Sequence, residues 1–385
     1  MKKVWNVLSY VLVAVLASVA TLAVGAFSAD EQADSKLEQM ADLIEERFIG
    51  EVDRTEMEDA AAEAMVASLD DQWSYYIAAE DYAAHVEQMN NAYVGIGVTI
   101  QVMEDESGIQ VVKVNEGGPA EEAGMLVGDI IVAVDGQRIA GMSTSDVRNL
   151  VRGEENTQVE ITVAREEEEL TLSVMRKEVQ TAVAVGQLLD GNIGLVTITN
   201  FDSRCADETI AAIETLLDQG AEALIFDVRY NPGGYKHELV KVLDYLLPEG
   251  PLFRSEDYKG NVTVDESDAN CLEIPMAVLV NGDSYSAAEF FAAALSEYEA
   301  AVVVGQQTCG KGYFQQTYQL SDGSAIGLSV GKYSTPNGVN LAGVGITPDI
   351  VVEVDEDTAM EIYAGTLDPA EDPQIQAAAD ALKIK

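Results

Sequence analysis

MAVLVNGDSYSAAEFFAAALSEY, residues 276–298, reads as an apolar strand, a short polar turn and a helix. The strand covers 276–280, the turn Asn281-Gly282-Asp283-Ser284-Tyr285 follows, and the helix runs from Ser286 to Tyr298. This order places a serine in the first turn of a helix, where unpaired N–H groups and the positive end of the dipole can meet an oxyanion. Alone it is a weak signal, because serine is also a favoured N-cap. Working outward, the same alternation recurs. A strand is expected at 193–199, a helix at 207–219 stopped by Gly220, and a strand at 223–228. Tyr230-Asn231-Pro232-Gly233-Gly234 and a helix to Leu247 come next, and a strand at 301–304 follows the quoted segment. Strands alternating with helices make an α/β layer whose sites lie in the loops at strand ends.

Two of those loops carry further chemistry. In Gly310-Lys311-Gly312-Tyr313-Phe314-Gln315 the lysine is flanked by glycines, so backbone can approach closely and desolvate the amine. Asn231-Pro232-Gly233-Gly234 is a strand-end turn whose amides could complete an oxyanion hole.

Upstream, near Tyr93, the hydrophobic period changes. Residues 94–100 and 109–114 read as strands, and a helix is expected over 143–152. Two further strands flank the acidic run 166–169, which reads as a solvated hairpin turn. With GPAEEAGMLVGDIIVAVDGQRI after the Gly95-Ile96-Gly97 loop, this block resembles a PDZ domain. The resemblance implies that amides of the Gly-rich loop hold a carboxylate while the strand from Val98 accepts an extended peptide. A PDZ-shaped spacer that binds nothing is the competing reading.

The whole chain from about 35 to 355 resembles the carboxyl-terminal processing (tail-specific) peptidases, Ser/Lys serine proteases that carry a PDZ domain. The motifs are VASLDDQWSYY (66–76), the PDZ segments, IFDVRYNPGG (225–234), SYSAAE (284–289), VVVGQQTCGKGYFQQ (302–316) and GVGITPDI (343–350). The resemblance implies Ser286 as nucleophile, Lys311 as base and Gln315 as its support. It implies the amides of Ala287 and Gly233 as oxyanion donors. It implies no cofactor and no metal. The sequence departs from the family pattern at Tyr285, Ala288 and Tyr230. Ser284 therefore stays a rival nucleophile, His237 with Asp227 a rival triad, and Cys309 a further candidate. A catalytically idle PDZ scaffold and a crotonase-like acyl-CoA enzyme are the readings from other classes.

The expected fold is thus an α/β peptidase core with crotonase/ClpP-like layers and an inserted, β-rich PDZ domain. An N-terminal helical segment and one N-terminal transmembrane helix precede it. The expected divisions are 1–29 as membrane anchor or signal, 30–91 helical, 92–178 PDZ, 179–355 peptidase and 356–385 an acidic tail of little consequence. The first follows from Lys2 and Lys3 ahead of an almost uncharged run, with residues 4–27 long enough to span a bilayer. Cleavage after Ala26-Phe27-Ser28 is the alternative. Either way the chain is expected to be extracytoplasmic, anchored by one pass or secreted.

The 67 acidic and 22 basic residues give a net charge of −45, which argues against nucleic acid as a partner. The three cysteines are far apart and only two histidines exist, which suits neither a disulfide framework nor a zinc site. The expected partners are protein or peptide C-terminal tails as substrate, a second copy in a homodimer through the helical stripe of 30–91, and a regulatory protein.

Overall fold

The computed structural model describes residues 35–89, 92–103, 108–115, 117–166 and 168–383. The expected membrane helix at 1–29 lies outside the described residues. Among the described residues no helix is long and apolar enough to cross a membrane. The chain divides into one unit ending at Ser68 and another beginning at Leu69.

In the first unit, helices Lys36–Arg47 and Arg54–Ala67 are capped by the side chains of Ser35 and Asp53, which accept amides of the first turn. Arg54 joins them, reaching Asp42 at 3.1 Å and Glu45 at 3.2 Å. Leu37, Met40, Ile44 and Phe48, the expected apolar stripe, are exposed.

The second unit is built on a six-stranded sheet. Ala184–Leu189 pairs antiparallel with Ile193–Ile198, and from there Ala223–Asp227, Met276–Val280, Ala301–Gly305 and Ile350–Val351 follow in parallel. Every residue of Met276–Val280 is buried, as a central parallel strand must be, and its alternate side chains feed two cores. Met276, Val278 and Val280 meet helices Cys205–Asp218, Lys236–Leu246 and Ala287–Glu297, with Phe226 edge-on to Phe291 at 5.4 Å. Ala277 and Leu279 face the other way and pack with Ile375, Ala378 and Leu382.

Those three residues belong to helix Pro373–Leu382, so the stretch read as an inconsequential tail packs over the central strands on the second face of the sheet. A parallel sheet needs both faces covered, and nothing between 179 and 355 supplies the second layer. Helix Glu356–Ala364 precedes it, and Asp372 reaches back to the buried Arg229 at 2.8 Å.

Tyr75–Ile77, Gly250–Asp257, Val262–Ser267, Tyr313–Gln319 and Ala325–Ser334 form a separate antiparallel sheet. The PDZ-like block has its own core of Ile96, Val111, Ile131, Val147, Ile161 and neighbours. Its entry and exit strands, Ala92–Gly95 and Lys177–Gln180, pair with each other, the geometry of an insertion. Strands Gln158–Arg165 and Glu168–Met175 form the expected hairpin over the acidic run.

Candidate active site

The turn between Met276–Val280 and Ala287–Glu297 is fixed by its own polar side chains. Asn281 Oδ1 accepts the Tyr230 amide at 2.9 Å and the Asp283 amide at 3.2 Å. The Ser284 hydroxyl donates to Val228 O at 2.7 Å and accepts the Asn281 amide at 3.0 Å, and the residue is fully buried. Ser284 is thereby committed to holding the turn, which removes the ground for the rival nucleophile.

Ser286 caps the helix with φ 58° and ψ −124°, a conformation that costs a non-glycine residue on the order of 1–3 kcal/mol and recurs at functional sites. Gly233 explains how it fits. A Cβ on Gly233, whose φ is 91°, would stand 2.8 Å from Ser286 Cβ and 2.9 Å from Ala287 N. The NPGG turn therefore packs its bare backbone directly on the serine and on the first helical amide. The Ala287 N–H lies at the helix start and has no intrahelical partner. The Gly233 N–H, the other expected oxyanion donor, instead donates to Asn231 Oδ1 at 2.8 Å.

Glu289, one turn into the helix and fully buried, binds the two loops together. Its Oε2 accepts the Ser286 amide at 3.0 Å and the Lys311 amide at 2.8 Å. Its Oε1 accepts the Gly310 amide at 2.7 Å and the Thr308 hydroxyl at 2.6 Å. Burial raises the Glu289 pKa and these donors oppose it. With every contact a donor aimed at two oxygens, the arrangement is that of an ionised carboxylate. Sequence reasoning quoted this glutamate as a motif letter without giving it work. The partners that reveal it lie some twenty residues downstream, beyond any local pattern.

Lys311 is brought to the same place. Burial pushes its pKa down, against the opposing pull of Cys309, Asp71 and Glu289. Its ammonium sits 4.7 Å from the centre of the Trp73 ring and 5.7 Å from that of Tyr285. Gln315 does not meet it: the Gln315 amide donates to Ser329 Oγ at 3.0 Å. The reason is backbone register, since the bulge between Phe314 and Gln315 sets that side chain beside the neighbouring strand.

The remaining candidates separate. Asp227 is paired with Arg229 at 2.6 Å, while His237 is largely exposed and lies beside Glu238 at 3.4 Å, so no His–Asp couple forms. The Cys309 thiol on the lysine loop is pushed up by its partial desolvation and by the Glu289 and Asp283 carboxylates, which disfavours a thiolate there. Tyr230, with φ 57°, sends its hydroxyl to Ala359 O at 3.0 Å and its ring against Tyr363.

Gly95, Ile96, Gly97 and Val98 line a cavity of about 340 Å³ together with Tyr93, Ile131, Val147, Val151 and the cations Arg148 and Arg152. Strand Val98–Val102 is the edge of the PDZ-like sheet and runs beside helix Thr144–Val151. An edge strand against a helix is the opening into which an extended peptide adds.

Comparison with known proteins agrees with this architecture. Residues 192–352 match peptidase family S41, 110–165 match the PDZ domain, and 17–81 match the activating protease CtpB N-terminal domain. The carboxy-terminal processing protease CtpA of Bacillus subtilis (strain 168) is 32% identical over 323 residues, 83% of this chain and 69% of the relative. A CtpA-like serine protease of Staphylococcus aureus (strain N315) is 31% identical over 336 residues, 86% of this chain and 67% of the relative. Among solved structures, an S41 protease from Bacteroides fragilis NCTC 9343 superposes with a TM-score of 0.52 at 17% identity, covering 88% of this chain and 99% of the other. That likeness speaks to the fold alone. The chain belongs to the carboxy-terminal processing proteases, PDZ-containing serine-type peptidases of family S41.

Proposed function

We propose that this peptidase cuts proteins whose C-terminal tails it holds in the PDZ-like groove, and that Ser286 and Lys311 carry the reaction. The observation that supports it most is Glu289, which accepts the amides of both residues and so sets the two loops side by side. In this reading Ser286 Oγ attacks the scissile carbonyl carbon and its proton passes to the neutral Lys311 amine. The oxyanion faces the Ala287 amide and the Gly233 amide, the latter exchanging Asn231 for the developing charge. The lysine returns the proton to the leaving amine, and water then hydrolyses the acyl-enzyme. Gln315 steadies the amine once its side chain turns from Ser329. The tail's carboxylate meets the loop amides of Gly95, Ile96 and Gly97, and the peptide pairs with the strand from Val98.

Export by residues 4–27 belongs to the same proposal, as does self-association through the exposed stripe of the first unit. The match of residues 17–81 to an activating protease's N-terminal domain supports a regulatory partner.

Lys311→Arg tests the chemistry. Arginine keeps the charge and cannot accept a proton at working pH, so peptide hydrolysis should fall by roughly 10²–10⁴-fold. Ser286→Ala should lose labelling by a serine-directed acylating probe. An active Lys311→Arg enzyme, or labelling that survives in Ser286→Ala, would overturn the assignment.

A further inference from the structure

Glu289 sets the backbone of Lys311 beside that of Ser286, yet no hydrogen bond links the lysine amine to the serine hydroxyl. The ammonium instead rests against two ring faces, 4.7 Å from the centre of Trp73 and 5.7 Å from that of Tyr285, and those rings lie 6.2 Å apart. Trp73 comes from a segment more than two hundred residues upstream and is held by its amide, which donates to Asp71 Oδ1 at 3.2 Å. Tyr285 precedes the serine directly, at a position where the sequence departs from its family. Resting on the Ser/Lys reading above, we propose that Trp73 and Tyr285 form an aromatic slot that holds Lys311 while it is protonated and releases the neutral amine to Ser286.

The physics is one-sided. Ring faces attract a cation and offer a neutral amine little, while a serine hydroxyl offers the neutral amine a donor. Loss of a proton from the ammonium to bulk water therefore removes the attraction that keeps the side chain on the rings. The carboxylates facing Lys311 act in the same sense as the slot. Burial would raise the Asp71 carboxyl, but the Ser74 and Ser329 hydroxyls and the Trp73 and Ser74 amides hold it low, so it is anionic. Glu289 is ionised by its donors, and Cys309 and Tyr285 are both pushed up and uncharged near neutrality. Trp73 and Tyr285 are thus positioning residues for the base. They set the pH at which it becomes available without touching the substrate.

The chain has two tryptophans, Trp5 and Trp73, so full-length Trp5→Phe carries Trp73 as its sole indole. Its emission should titrate with pH at the midpoint of the acid limb of kcat/KM, and Lys311→Met should erase that titration. Trp73→Leu keeps apolar bulk and removes the π face. It should move the acid limb down by about 0.5–1.5 pH units, the range a partly desolvated cation–π contact supports. Tyr285→Leu should move it the same way by less. A limb unmoved in both leucine variants, or an emission titration that persists in Lys311→Met, would overturn the slot and leave the Ser/Lys reading standing. Full hydrolysis by Lys311→Met would overturn the Ser/Lys reading instead, and vanishing emission titration in that same protein would still support the slot.

Discussion

Around Ser286 the backbone is held by side-chain hydrogen bonds, whereas the Lys311 side chain meets ring faces and, among the described residues, no hydrogen-bonding partner. Asn281, Ser284 and Glu289 lock the serine turn with short, buried hydrogen bonds, and Gly233 presses on it from the facing loop. Glu289 fixes the lysine's own amide just as firmly. What is left free is the tail of the side chain beyond that amide. A nucleophile gains from rigid aim, because misplacement costs rate steeply. A base that must exchange its proton gains from a side chain with more than one resting place. Rigidity here is assigned atom by atom and not loop by loop.

The strongest way to break this contrast is Glu289→Gln. One oxygen becomes an NH₂ that faces amide donors already aimed at it, so one side of the network is orphaned. Stability should fall by about 3–5 kcal/mol, the scale for breaking a buried charged network from one side. Hydrolysis should drop by at least about 100-fold as Ser286 and Lys311 lose registry. Chemical denaturation and kcat measured on the folded fraction check both. A stable, active Glu289→Gln enzyme would mean that the two loops are held together by something else.

Next in size is Ile375→Ala, which attacks the rigid half from beneath. Ile375 is 5% exposed and packs on the face of the sheet opposite the serine helix. Truncation should cost about 2–4 kcal/mol, read as a lower denaturation midpoint with an unchanged slope. A change within a few tenths of a kcal/mol would return residues 356–383 to the inconsequential tail that their composition suggests.

That composition shows why some of the molecule was legible in the sequence and some was not. The alternation of strands and helices, the serine at a helix start and the glycine-flanked lysine are local patterns. They survive in the structure as Met276–Val280, Ala287–Glu297 and the loop before Tyr313. The helix Pro373–Leu382 was hidden because its buried apolar residues are few, only Ile375, Ala378 and Leu382, and stand among alanines and polar side chains. Ile375, Ala378 and Leu382 do recur at helical spacing, and that was the available signal. Glu289 was visible as a letter, but its function is defined by partners at 308, 310 and 311. Trp73 was further still, since only the fold brings it to Lys311. Gln315 shows the opposite limit: the motif position was matched in the sequence, but the side chain's hydrogen bond to Ser329 is visible only in the structure.

A smaller loss is expected from Asn281→Ala. The variant keeps the turn's length but leaves the Tyr230 and Asp283 amides without their acceptor. The Tyr230 amide is only half-buried and Asp283 is exposed, so the loss should be about 1 kcal/mol, the low end for an orphaned donor. Because the Tyr230 amide opens the NPGG turn, kcat should fall more than KM rises. A pure KM effect would show that the turn serves binding and not aim.

The smallest effect has the opposite sign and probes the loosely held side of the contrast. Burial pushes the Lys311 pKa below its ordinary value, so the folded protein holds this proton less tightly than the unfolded chain. Between the folded pKa and the unfolded value near 10.4, the unfolded state binds more protons, and stability must rise with pH across that window. Below the window the buried ammonium is a standing cost. Lys311→Met removes the charge, fills the same space and can still lie against Trp73. The variant should therefore melt higher than the parent at neutral pH, and the gain should shrink as pH climbs toward the unfolded lysine value. Paired thermal melts from about pH 6 to pH 10 would trace it. If the parent were the more stable of the two at neutral pH, the ring faces, Asp71 and Glu289 would together outweigh burial. Lys311 would then be a cation held for its charge, and the base for Ser286 would have to be sought elsewhere.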